Sequence, residues 1–407
     1  MPVLIAGSRG FIGARVRAAL QAAGFDTIGA DRPQADFARD HDPDTWAARL
    51  ERVDLVINAA GIFREAGAAT FEAVHTRGPV ALFRACERRG IPVIQVSALG
   101  AAPDAPTAFL RSKHAADEAL LAMRIPAAVL QPSLVHGPGG TSARLFNALA
   151  RLPVVPLPGA GAQQVQPVHV DDLAAAVVAL ARSRELQRER VPVVGPQALS
   201  LRQFLAALRE ALGLGRARFL EVPMAWVRLG AGWGVGLLDR DALAMLERGN
   251  TASATRITQL LGRAPRPPRS FIAPHEASDA RRLAALHALR PVLVASIALV
   301  WLWTAAVSAG LYPVEESLRL LARVGLTGFA ATLALYGAAA FDLALGIATL
   351  AMRRRRWLWR AQAGLIVAYT AVITVFLPEQ WLHPFGPLTK NVPMLAALWL
   401  LDATEES

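Results

Sequence analysis

Apolar positions follow two regimes along this chain. In the first half, short apolar runs alternate with amphipathic stretches. Residues 3–6, 27–30, 55–58, 92–97, 127–131 and 191–194 read as strands. Residues 11–23, 71–89 and 108–123 carry helical spacing between them. Strands that are apolar throughout belong to a parallel sheet covered on both faces, and the strand–helix alternation predicts an α/β domain over 1–200. From 201 to 270 the pattern is mainly helical, with Trp226 and Trp233 in a glycine-interrupted stretch, and predicts a small subdomain. Residues 263–269 (Arg-Ala-Pro-Arg-Pro-Pro-Arg) read as connecting chain, and 271–288 as a linker.

After Arg290 the pattern changes. Residues 291–314 carry no charge, and 325–352 carry only Asp342. Each exceeds the roughly 20 residues that cross a bilayer. Residues 361–377 form a third apolar stretch. A fourth, 392–401, spans only if it begins near Phe385, with Lys390 snorkelling or facing protein. Tryptophans 301, 303, 357, 359, 381 and 399 sit mostly near segment ends, as interfacial anchors do. The expectation is a four-helix transmembrane bundle over 289–402. The basic run 353–356 then lies on the cytoplasmic side, and four spans bring the N-terminal domain and the 405–407 tail to the same side. Arg281, Arg282 and Arg290 agree with this. The first apolar run, 3–6, is too short for a signal peptide. The expected setting is a bacterial-type inner membrane, with the lipid bilayer as partner.

Composition narrows the chemistry. The chain is 54% hydrophobic, high for a wholly soluble protein. Cys86 is the only cysteine, which excludes an intramolecular disulfide and a cysteine metal site; no histidine trio has ligand spacing, so no metal is expected. The net charge of +11 comes from arginines scattered singly along helices, without the clustered stripe that nucleic acid requires. Only Lys113 and Lys390 are lysines, so each raises a chemical question.

The strand at 3–6 runs into Gly7-Ser8-Arg9-Gly10-Phe11-Ile12-Gly13. The first glycine permits a tight turn, the second a close approach of backbone to a pyrophosphate, and the third close helix–strand packing. The following helix offers free N–H groups to the phosphates. Asp31 ends the second strand, where an acid meets the adenosine ribose and favours NAD. Arg32 and Arg9 could instead accept the extra phosphate of NADP. The balance leans to NAD.

With the cradle placed, later segments resemble the extended or atypical short-chain dehydrogenase/reductase superfamily, over residues 1–270. The branch that includes the nucleotide-binding accessory subunit of respiratory complex I is especially similar. The resemblance implies a Rossmann-type doubly wound sheet. It implies that Asn58-Ala59-Ala60-Gly61 borders the cofactor, that Val96-Ser97-Ala98 is the catalytic-serine strand, and that Ser112-Lys113 lies on the active-site helix. It also implies that Pro132 and His136 lie in the loop lining the nicotinamide, and that 166–174 enters a late helix. One departure stands out. The family's acid/base tyrosine, four residues before the lysine, is Phe109 here, and all three tyrosines lie in the C-terminal half. Losing a positioned general acid costs about 10²–10⁴ in rate.

Two readings follow. The domain binds a nicotinamide nucleotide without turnover, as sensor, scaffold or assembly element. Or another group moves the proton; His136 is then the candidate, since an imidazole suits that work near neutral pH. In the second reading the protein is a membrane-bound reductase or epimerase acting on a quinone or another apolar substrate. A structural partner of a respiratory membrane complex is a third class. His114 reads as a surface residue and His169 as a turn tether; Arg248, Asn250 and Thr251 are polar enough to line a pocket but are equally explained by a helix end. Residues 289–402 resemble a DoxX-like membrane domain, on span number, Asp342 and the segment His383 to Asn391. Asp342 is expected either to mark a quinone or proton site or to pair with a polar neighbour such as Lys390.

Overall fold

The computed structural model describes the chain except residues 184–185, 233–239, 353–354, 385 and 406–407. Trp233, half of the 353–356 run, Phe385 and the end of the tail lie outside the described residues. The chain forms two units, Met1–Ala285 and Leu286–Ser407.

In the first unit, β1 (Pro2–Ala6), β2 (Asp26–Ala30), β3 (Leu55–Asn58), β4 (Val93–Val96), β5 (Ala127–Pro132) and a closing strand Glu189–Val193 form one parallel sheet. Between them run α1 (Phe11–Ala22), α2 (Gly78–Arg89), α3 (Ala108–Ala122), α4 (Thr141–Arg151) and α5 (Val170–Ser183). Successive strand residues face opposite sides. Val3 and Ile5 pack with Val16, Leu20 and Leu173, whereas Leu4 and Ala6 pack with Leu82, Phe83 and Leu120. This two-sided burial is why the strands are apolar throughout. The sheet order is closing strand, β5, β4, β3, β1, β2. The chain leaves β1 for β2 on one side and returns to β3 on the other. The carboxyl ends of β1 and β3 therefore frame a topological switch point, the ligand crevice of open α/β sheets.

The stretch 71–89, read as one helix, is split: a wide π-type turn at Glu72–Arg77 precedes α2. Pro79 lacks the N–H that would bond the carbonyl of His75, which leaves the regular ladder broken where the wide turn meets α2.

The subdomain is not the continuous 201–270 piece expected. Its helices are α6 (Leu201–Ala211), α7 (Met224–Gly232), α8 (Arg240–Arg248) and α9 (Thr255–Leu261). Phe146 of α4, Val155, Leu157, Phe204 and Leu208 of α6, and Phe271 share one core. The strand Val154–Pro158 pairs with Arg218–Val222. Periodicity identifies amphipathic elements but not the core each one joins. The 263–269 stretch is not loose chain either. Arg263 Nη2 and the Arg266 N–H donate to the carboxylate of Asp172 at 2.5 and 2.7 Å, and Arg266 Nη1 to Asp171 at 3.0 Å. Asp172 is fully buried, and a buried carboxylate is costly without such partners. The expected linker 271–288 likewise holds core residue Phe271 and the first turns of α10 (Ala277–Ala306).

The second unit continues with α11 (Val314–Arg323), α12 (Gly328–Ala351), α13 (Arg356–Phe376) and α14 (Asn391–Ala403). Among the described residues, three stretches are long and apolar enough to cross a membrane: Ala277–Leu311, Gly328–Ala351 and Arg356–Phe376. The 13 residues of α14 rise about 20 Å, short of a hydrocarbon core of about 30 Å. The expected four-helix region is present as three long helices and the shorter α14. Turn residues 387–390, with Pro387 among them, stop α14 from starting earlier. A buried polar ladder joins the long helices: Trp301 Nε1 donates to Gln362 Oε1, and Gln362 Nε2 to Thr349 Oγ1, both at 2.8 Å. Asp342 is buried, and among the described residues its Oδ1 has no hydrogen-bond partner. Lys390 is exposed, and among the described residues no hydrogen bond or ion pair joins it to Asp342.

Candidate functional site

The glycine loop is built by close approach. Gly7 has φ +77°, and a Cβ there would lie 2.8 Å from the Ala60 backbone. A Cβ on Gly13 would run into the Gly7 carbonyl, and one on Gly10 would lie 3.2 Å from it. These contacts draw the end of β1, the loop after β3 and the start of α1 together. Gly10 is the N-cap of α1, and no side chain caps the helix. The N–H groups of Phe11, Ile12 and Gly13 begin the first turn, where an anion finds unpaired donors. Ser8 Oγ donates to Asp31 Oδ2 at 2.5 Å, and the Arg9 N–H to Asp31 Oδ1 at 3.1 Å. Asp31 thereby pins the loop to the end of β2, and each of its oxygens retains a lone pair for a further donor. A cleft of about 420 Å³ opens here, with Gly7, Arg9, Gly10, Asp31, Arg32 and Gly61 on its wall. Ala59 and Ala60 also line it. Asn58 is fully buried and shapes the loop from behind, donating to Gln95 Oε1 at 2.7 Å and accepting from the Ala60 N–H at 3.1 Å. Pro132, at the end of β5, accepts from the Leu99 N–H at 2.9 Å and is not on the cleft wall.

Further along the switch point the character changes. Lys113 is buried on α3, with Nζ 3.4 Å from the carbonyls of both Ala60 and Val96. A Cβ on Gly61 would lie 3.1 Å from that Nζ, so the ammonium stands at the edge of the β3 loop. Burial pulls Lys113 down to about 8, against the attraction of Asp117. Asp117 lies one helical turn on and is fully buried. Burial pushes its carboxyl up to about 6, against the Ser97 hydrogen bond and the Lys113 charge. Ser97 Oγ donates to Asp117 Oδ2 at 2.5 Å. The hydroxyl proton of Ser97 is thus committed to the protein's own interior.

Ala98 packs against the small cluster that holds Phe109. The Phe109 ring stacks on Phe63 at 5.3 Å and meets Phe71 and His75 edge-on at 6.0 and 5.3 Å. His75 Nε2 accepts the Ile62 N–H at 2.9 Å, so Nδ1 carries the proton. Nδ1 faces Ser112 Oγ at 3.0 Å, whose own proton goes to the Phe109 carbonyl at 2.8 Å. Burial and the Lys113 charge push His75 down to about 2, so it stays neutral.

His136 lies elsewhere. Its Nε2 is 3.1 Å from Asn147 Oδ1, and its ring stacks on Phe271 at 5.1 Å. Burial holds it at about 4. Among the described residues no hydrogen bond or ring contact joins it to Ser97, Lys113 or Phe109. His169 Nδ1 accepts the Asp171 N–H at 3.3 Å, at the start of α5. Asp117 and His75 escaped the sequence reading. Asp117 was findable, because it shares a helix face with Lys113.

Residues 3–195 match the NAD dependent epimerase/dehydratase family, and residues 298–399 the DoxX-like family. The chain thus joins a segment similar to the NAD dependent epimerase/dehydratase family to one similar to the DoxX-like family. Among curated relatives, it is 37% identical over 145 residues to NADH dehydrogenase [ubiquinone] 1 alpha subcomplex subunit 9, mitochondrial, of Arabidopsis thaliana. That alignment covers 34% of this chain and 35% of the plant protein, so the chain spans about a third of that relative. It is 29% identical over 240 residues to ceramide reductase of Caulobacter vibrioides, covering 54% of this chain and 73% of that one. The fold matches MoeE5, solved in complex with UDP-glucuronic acid and NAD, with a TM-score of 0.51 at 20% identity, over 69% of this chain and 99% of that one.

Proposed function

We propose that this is a membrane-anchored protein that binds NAD or NADP, preferring NAD, without the usual turnover of its domain type. The glycine cradle, the uncapped helix and Asp31 fit the ADP half of the nucleotide. Lys113 is the group for the nicotinamide ribose. Bound nucleotide supplies a hydride, and carbonyl reduction also requires a proton at the carbonyl oxygen. The observation that carries this reading is Phe109, enclosed by Phe63, Phe71 and His75 at the place of the family's acid. Ser97 does not replace it, because its proton serves Asp117. The arginines at 281, 282 and 290 support a cytoplasmic nucleotide domain at a bacterial-type inner membrane.

A second reading is a reductase or epimerase for a lipid-soluble substrate such as a quinone. The apolar wall of Phe63, Phe109 and Met245 and the likeness to ceramide reductase favour it. The likeness to the plant respiratory-complex subunit favours a structural role in a membrane complex. Purified protein incubated with NADH or NADPH and a panel of quinones, aldehydes and ketones separates these. No turnover is expected. Sustained oxidation that disappears in Lys113→Ala eliminates the inert-binder reading.

A further inference from the structure

We propose that the strand–helix segment from Arg216 to Leu229 is a lipid-docking surface, by which the subdomain rests on an anionic bilayer. The strand Arg218–Val222 shows how its two faces differ. Its partner strand buries Val155 and Leu157 in the subdomain core, and Phe219 packs against that same core. The opposite face carries Val154, Arg218 and Leu220, and Leu220 is 56% exposed. After Pro223 the chain enters α7, where Trp226 and Leu229 are 67% and 49% exposed. Their three-residue spacing puts them on one helix face. A tryptophan and two leucines so exposed are unusual on a surface meant for water.

The charges around the patch select the occupant. Glu221 and Glu247 are neutralised by Arg202 and Arg228. Arg216 and Arg218 are exposed, with no ion-pair partner among the described residues. Tryptophan and leucine flanked by unpaired arginines match the boundary between acyl chains and acidic headgroups. Arg281 Nη1 reaches the Gly213 carbonyl at 3.4 Å, beside Arg216, and belongs to the helix that goes on to form the first membrane-length stretch.

The test uses the full chain in nanodiscs of equimolar phosphatidylcholine and phosphatidylglycerol. Cys86 is buried, with its thiol pushed up to about 12, and stays unlabelled. Trp226→Cys and, separately, Leu229→Cys are labelled with an environment-sensitive fluorophore; Arg52→Cys, at an exposed turn elsewhere in the first unit, is the control. Lipid carrying a headgroup-proximal nitroxide should quench the 226 and 229 labels about twofold or more beyond the control, since interfacial side chains enter about 5–10 Å. Arg216→Gln with Arg218→Gln, or phosphatidylcholine alone, should reduce that excess. Equal quenching at 226, 229 and 52 overturns the proposal. So does a 226 label shielded from aqueous iodide but untouched by nitroxide, which means that protein, not lipid, covers the patch.

Discussion

The two ends of the switch-point cleft have been treated differently by this sequence. At the end proposed for the ADP half of the nucleotide, the loop is built by close backbone contacts. Glycines allow the backbone contacts, α1 is uncapped, and Asp31 fastens the loop through Ser8 and Arg9. At the other end the polar groups have turned inward. Ser97 serves Asp117, His75 is neutral and engaged on both nitrogens, and aromatic rings surround Phe109. Binding and chemistry are separable because they use different parts of the fold. In the proposed reading, backbone geometry makes the cradle, whereas the acid depends on one side-chain oxygen.

Restoring the acid is the strongest way to break this contrast. Phe109→Tyr should create weak reductase activity with a competent carbonyl substrate. A positioned proton donor is worth about 10²–10⁴ in rate. Single-turnover NADH oxidation reads the gain. If bound nucleotide still shows none, more than the proton donor has been lost.

The next test asks to which region His136 belongs. Its folded pKa of about 4 lies below its ordinary 6.5. The unfolded chain therefore binds more protons between those values. Stability is full above pH 6.5 and falls progressively as the pH drops toward 4. The loss reaches about 3 kcal/mol, and His136→Gln should remove that part of the slope in urea titrations. A His136 resonance titrating near pH 7 by NMR would return it to the reaction end as an acid/base.

Two smaller changes sharpen the ADP end. Gly7→Ala forces a side chain into a left-handed turn against Ala60, costing about 1–3 kcal/mol of stability with loss of nucleotide binding. Thermal melts and calorimetry measure both. Asp31→Ala should weaken NADH about tenfold, as expected for a charge-assisted hydrogen bond, and leave NADPH nearly unchanged. An equal loss for both nucleotides removes the lean to NAD.

The sequence made the sheet and cradle legible because both are local. An apolar run, a glycine spacing and an acid at a strand end each lie within a few residues. Phe109 was legible for the same reason, four residues before Lys113. What escaped reading is non-local. The commitment of Ser97 to Asp117 depends on how β4 meets α3, and the core shared by α4 and α6 on a chain reversal that no period records. The length of α14 was harder to read, because composition does not show where a turn through Pro387 ends.

Calorimetry of the detergent-solubilised full chain against NADH and NADPH is the most direct test of the central claim. Saturable one-to-one binding, tighter for NADH and lost in Gly7→Ala, is the predicted result. Silence toward both nucleotides from a folded protein would contradict it.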